Sequence, residues 1–186
     1  MGRFIFGVII GICLVAGGAF TYFMTGMAPV AATAQPMPFE RFLAHAALHA
    51  KIDREAPKTA PIQPTVGNLT AGAHLYIHDC AFCHGMPSGP QSLQGRGMFP
   101  PAPALFTPRG MVTNDPVGVT FWKIKNGIRL TGMPSFERGL NTTQMWQIAW
   151  LMRDADKLPP AVSAVLAPPP AQPAKPAKSA EPRKRR

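Results

Sequence analysis

Cysteine and histidine are scarce in this chain of 186 residues: there are three of one and five of the other, and neither occurs after residue 84. That gap removes the second ligand pair that a structural zinc site normally draws from a separate segment. Charge is absent from Phe4 to Met27, and the first charged side chains after that run are Glu40 and Arg41. Strict apolar/polar alternation is missing from the middle of the chain, so no half-buried strand is readable there. From Pro159 onward there is no aromatic side chain, and eight of 28 residues are proline. Such a composition cannot bury a core, which predicts an extended, mobile, basic tail over residues 159–186.

What is present begins with the uncharged run. At about 1.5 Å per residue its 24 residues make ~36 Å of helix, enough to cross a hydrocarbon layer of about 30 Å. A cleaved secretory signal is the competing expectation, since Arg3 gives a basic start and Ala32-Thr33-Ala34 resembles a cleavage site. The run is longer than a signal's apolar region and the Ala-x-Ala site lies beyond its end, which favours an uncleaved anchor. Cys13 is then an apolar anchor residue. Arg3 lies before the span, and this charge bias keeps the N-terminus cytoplasmic and exports the rest. In that compartment a reducing thiol pool cannot be assumed.

The expected organisation follows: an anchor over 1–27, an Ala/Pro-rich spacer over 28–65 with a short helix near 39–52, one small domain over 66–158, and the tail. In the spacer helix Phe39, Phe42, Leu43 and Ala46 recur at helical spacing, which lays it against the domain or the membrane surface. His45 and His49, four apart on that helix, read as a solvated pair. The formal charge of +10 resembles a nucleic-acid signature until it is located. Lys175 to Arg186 hold six basic side chains against one Glu, while residues 66–158 hold eight basic and five acidic ones. The body is only mildly basic, and no nucleic acid is expected as a partner.

Within the body, Thr65 can cap a helix running to about Asp79, with Leu69, Ala73, Tyr76 and Ile77 along its apolar face. The Pro-rich stretch Cys80 to Thr113 reads mostly as loop. Asp115-Pro116 reads as an N-cap followed by proline at the first helical position, with Gly127 ending that helix. Asn141 and Gln144 form a capping-box pattern ahead of Met145, Ile148, Ala149 and Met152. Three helices and a long loop make a small core, and a bulky apolar group inside would complete it.

The segment LYIHDCAFCHG suggests what that group is. A C-x-x-C spacing serves a redox dithiol, zinc or haem attachment. A thioredoxin-like dithiol needs a preceding strand, which is missing, and zinc would have to take every ligand from one helix and turn. The remaining pattern is C-x-x-C-H. Cys80 and Cys83 on one helical turn can add to two vinyl groups at one porphyrin edge, and His84 then meets the iron from the proximal side. For the sixth position Met133 is expected, in the loop NGIRLTGMPSF, where Gly132 and Pro134 fix the backbone and leave the thioether free. Met86 is too near the attachment site, Met98 and Met111 lie in loops, and Met145 and Met152 read as helix core.

At this point the chain resembles the class I c-type cytochromes, particularly the membrane-anchored mono-haem bacterial ones. The resemblance covers about residues 66–158 and rests on the order AGAHLYIHDCAFCHG, MFPPAPALF, NGIRLTGMPSF, TTQMWQIAWLMR. It implies an all-α fold of three to five helices around one covalently bound haem c, here behind one N-terminal transmembrane helix. It implies that the carbonyl of Pro103 receives the Nδ1 proton of His84. It places Gly72, Tyr76 and Trp150 at the crossing of the first and last helices, and it offers Arg129 as a haem-propionate contact, with Arg96 and Arg109 as alternatives.

Ligation by histidine and methionine leaves no open iron position, so the expectation is an electron carrier rather than an enzyme. It would sit at the bacterial cytoplasmic membrane with its haem domain on the periplasmic side and exchange electrons with redox protein partners. Lys123, Lys125 and Arg129 precede the distal loop and can steer an acidic partner. The alternatives are a haem-bearing subunit of a larger oxidoreductase complex, or a small-ligand enzyme or sensor in which Met133 is displaced.

Overall fold

The computed structural model describes residues 1–167, and every regular element among them is helical. In chain order these are α1 (Gly2–Met24), α2 (Glu40–Glu55), α3 (Val66–Asp79), α4 (Ala81–His84), α5 (Leu93–Arg96), α6 (Val117–Asn126), α7 (Thr142–Arg153) and α8 (Pro160–Leu166). Helix α1 is long and apolar enough to cross a membrane and buries none of its residues against the rest of the chain.

Local chemistry sets the helix boundaries. The Thr65 hydroxyl accepts from the Asn68 N–H at 3.2 Å and starts α3. At the head of α7 the Asn141 side chain accepts from Gln144 N–H at 3.0 Å, and the Gln144 side chain accepts from Asn141 N–H at 2.9 Å. Helix α6 begins one residue later than its sequence suggests, with Pro116 as the N-cap. Asp115 turns instead to Lys123, 3.5 Å away.

The core lies where α3, α6, α7 and α8 meet. Leu69, Ala73 and Tyr76 of α3 pack against Met145, Ile148, Ala149 and Met152 of α7. The two backbones nearly touch there, since a Cβ on Gly72 would run into the Gln147 carbonyl. A Gln147–Asn68 side-chain hydrogen bond of 3.1 Å clamps the same crossing. Phe121 of α6 stacks on Trp146 of α7 with ring centroids 4.1 Å apart, and Phe106 meets Tyr76 edge-on at 5.1 Å.

Two boundaries differ from the expected organisation. Residues 160–166 form a helix rather than an extended tail, because Val162 and Leu166, one turn apart, are buried at 0% and 2% exposure against α3 and its neighbours. Proline is tolerated at the first helical position, so Pro159-Pro160 opens this helix where composition suggests disorder. The rest of the expected tail, residues 168–186, lies outside the described residues.

The second half of the spacer is also part of the globular body. Ile52 is buried, the Trp122 indole N–H donates to Glu55 at 3.2 Å, and Ala60 and Ile62 pack on the core. Trp150 donates to the Ile62 carbonyl at 3.0 Å. A Cβ on Gly118 would meet the Pro57 carbonyl, so α6 and this strap lie backbone to backbone. Glu55 is held below the ordinary carboxylate range, chiefly by its hydrogen bond from Lys51 and less by the one from Trp122.

Candidate haem site

Cys80 ends α3 and caps α4, so the chain turns at the first thiol and delivers the second thiol and His84 within a single helical turn. The N–H groups of Cys83 and His84 both return to the Cys80 carbonyl, at 3.1 and 2.9 Å. This turn is held from two sides. Tyr76 donates to the Gly85 carbonyl at 2.7 Å, and Ser92 donates to the Cys83 carbonyl at 2.9 Å. The Ser92 hydroxyl also accepts from Gly95 N–H at 2.8 Å, which starts the short α5.

That bracing runs on to the proximal loop. Ala102 N–H donates to the Gly95 carbonyl at 2.9 Å, and the Gln91 side chain donates to the Ala102 carbonyl at 2.6 Å. The next residue is Pro103. Its carbonyl oxygen lies 2.7 Å from His84 Nδ1. A carbonyl can only accept, so the ring proton sits on Nδ1 and the Nε2 lone pair is left available. Burial lowers the His84 pKa, and the bond to Pro103 opposes that in part. A neutral ring with a free Nε2 is the form that a metal takes.

The thiols are chemically suited to the same group. Neither Cys80 nor Cys83 is in a disulfide. Burial, followed by the charges of Asp79 and Cys83, pushes the Cys80 thiol up to about 12. His78 and Asp79 pair with each other at 2.7 Å, with His78 largely in solvent, so neither joins the cysteines as a metal ligand set.

Met133 lies in a loop closed on itself. Ile128 N–H donates to the Met133 carbonyl at 3.1 Å, and Met133 N–H donates to the Thr131 hydroxyl at 3.1 Å. Gly127, at φ 67°, lets the loop return: a Cβ there would stand 2.6 Å from the Pro134 carbonyl carbon. Met133 is partly buried against the core, as is Cys80. The side chain of Met98 presses on Gly132, next to Met133, so a second thioether stands at this loop although the sequence places it in a separate segment.

The basic side chains divide. Lys123 pairs with Asp115 and Lys125 with Glu137, at 3.5 and 3.3 Å. Arg129 is exposed at the start of the methionine loop and makes no ion pair among the described residues, as do Arg96 and Arg109 elsewhere. Sequence reasoning missed Gln91 and Ser92, whose signal was the capping serine ahead of Leu93.

Residues 67–152 match the family model described as Cytochrome C oxidase, cbb3-type, subunit III. No curated protein matches the chain. The matched span runs from the first turn of α3 to the last turn of α7, and so contains the C-x-x-C-H turn, the proximal loop and the methionine loop. The match supports a cytochrome c domain for haem-based electron transfer over residues 67–152, in a chain whose described residues are all-helical and begin with an apolar helix long enough to cross a membrane.

Proposed function

We propose that the chain is a membrane-tethered electron carrier with one covalent haem c, exported to the periplasmic side of a bacterial cytoplasmic membrane. The observation that carries the proposal is the His84–Pro103 pair beside two unpaired thiols on the same turn. When bound, the haem supplies a one-electron iron couple. Cys80 and Cys83 would hold it through thioethers, and His84 Nε2 and Met133 Sδ would be the axial donors.

The chain's own residues then do three things. Pro103 fixes the imidazole ring and strengthens it as a donor. The hydrogen-bonded loop around Thr131 holds the Met133 backbone in place, so that His84 and Met133 together would hold the iron and leave no position on it for a substrate. Arg129, free of an ion pair among the described residues, offers its charge to a haem propionate or an acidic partner. Electron transfer with redox protein partners would then take place at the exposed edge.

A second reading, a haem-bearing subunit of a larger oxidoreductase, draws on the family description, which names an oxidase subunit. The test is a redox titration of the purified full-length protein with haem quantified per chain. One haem, a single one-electron wave and a ferrous spectrum unchanged by carbon monoxide are expected. A carbon monoxide shift in the native protein would instead indicate an open iron and a ligand-binding role.

A further inference from the structure

Helix α2 carries two apolar stripes on opposite sides. Leu48 is half-buried, Ile52 is buried, and Glu55 takes the Trp122 hydrogen bond, so the stripe through 48, 52 and 55 faces α6. At 3.6 residues per turn, positions 43, 46 and 50 lie on the reverse side, with Phe42 beside them and Phe39 just ahead of the helix as its N-cap. There Phe39, Phe42 and Leu43 are 77%, 69% and 61% exposed.

We propose that this outer face of α2 lies in the headgroup–acyl boundary of the membrane that α1 spans, as a foot that sets the orientation of the cytochrome domain. The inference rests on the membrane-tether reading. Three observations select lipid as the occupant. First, α1 ends at Met24 and α2 starts at Glu40, and the link between them folds back through Ala34–Ala31 and Glu40–Met37 backbone bonds. The foot is thus joined to the span by a link of residues 25–39 that is shortened by two turns. Second, no charged side chain lies between Arg3 and Glu40, and Met27 and Val30 in the link are themselves exposed apolar residues.

Third, the bulky side chains of this face cluster at the end of α2 joined to the anchor, where Glu40 and Arg41 lie off the face, while Asp53 and Arg54 flank the face at the end joined to the domain. An apolar face ending in charge suits a helix that dips into an interface at one end. A protein partner fits less well. The two phenylalanines, the largest side chains of the face, offer at most about 150–250 Å² each, well short of the roughly 800 Å² that each side of a stable protein interface buries.

The consequence concerns reach. The domain end of α2 is fixed by Ile52, Glu55 and the strap through Pro57 and Ile62. With the other end in the bilayer, the domain does not swing on a long linker. It presents one face to partners in the plane of the same membrane.

The test uses the full-length holoprotein with Cys13→Ala, in 3:1 phosphatidylethanolamine/phosphatidylglycerol vesicles. Single spin labels are placed at Leu43→Cys, Lys51→Cys and Leu14→Cys, and collisions with oxygen are compared with collisions with a water-soluble nickel chelate. The foot predicts an oxygen-to-nickel ratio at Leu43 several-fold above that at Lys51, with Leu14 higher still. If Leu14 is in lipid and Leu43 matches Lys51, the foot is wrong and the tether stands. If Leu14 is itself open to nickel, the tether reading fails and the foot with it. A Leu43 label shielded from both reagents and broadened by a neighbouring label would show a second copy on this face, which also overturns the proposal.

Discussion

His84 Nδ1 and the Pro103 carbonyl oxygen, nineteen residues apart in sequence, lie 2.7 Å from each other. The bond depends on neither residue alone. His84 is oriented by the turn that Cys80 begins, and Pro103 by the Ser92–Gly95–Ala102 chain of hydrogen bonds. The proximal side of the site is thus one braced unit, with the ring tautomer set before any group binds.

The closest helix contact predicts the first outcome. In Gly72→Ala the new methyl meets the Gln147 backbone, which cannot swing away as a side chain would. The holoprotein should lose about 1–3 kcal/mol in denaturant unfolding. Unchanged stability would mean that α3 and α7 do not cross as described.

Tyr76 ties the C-x-x-C-H turn to the core through the Gly85 carbonyl. Tyr76→Phe removes one buried hydrogen bond and should cost about 1 kcal/mol. The thioethers should still form, as read by the haem content of the purified variant.

The terminal helix supplies a third outcome. Leu166→Ala empties a buried site and should destabilise the protein by ~2–5 kcal/mol. A chain ending at residue 158 should be destabilised relative to one ending at 167. Equal stability of these two chains would contradict the packing of α8.

Glu55 gives a pH dependence with a definite sign. Its folded pKa lies below the ordinary carboxylate value, so its contribution is present above the unfolded pKa and lost as pH falls through the folded one. Acidification below the ordinary carboxylate range should loosen the strap around Trp122, and unfolding midpoints against pH would show it. Glu55→Gln should flatten that part of the profile, while Lys51→Ala should move its midpoint up in pH.

Much of the fold was legible because cap chemistry is local. Thr65, Gly127 and the Asn141–Gln144 pair mark helix ends through groups three or four residues apart. The α8 helix was hidden because prolines dominate its surroundings, and two buried side chains one turn apart are a weak periodic signal. The strap was hidden for a different reason: Glu55 and Trp122 are 67 residues apart, and Trp150 and Ile62 are 88 apart. No local pattern announces such pairs. In the site, the C-x-x-C-H turn was readable from spacing, whereas the Pro103 partner came only through family resemblance. The approach of Met98 to Gly132 had no sequence signal, and it brings a second thioether to the distal loop.

The proposed hold of Met133 on the iron, together with His84, is read by the near-infrared sulfur-to-iron band of the ferric protein. The band should be present in the native protein, retained in Met98→Leu and lost in Met133→Ala, which should also gain a carbon monoxide-sensitive ferrous spectrum. A band that survives Met133→Ala and disappears in Met98→Leu would overturn the assignment of Met133 and give the iron to Met98.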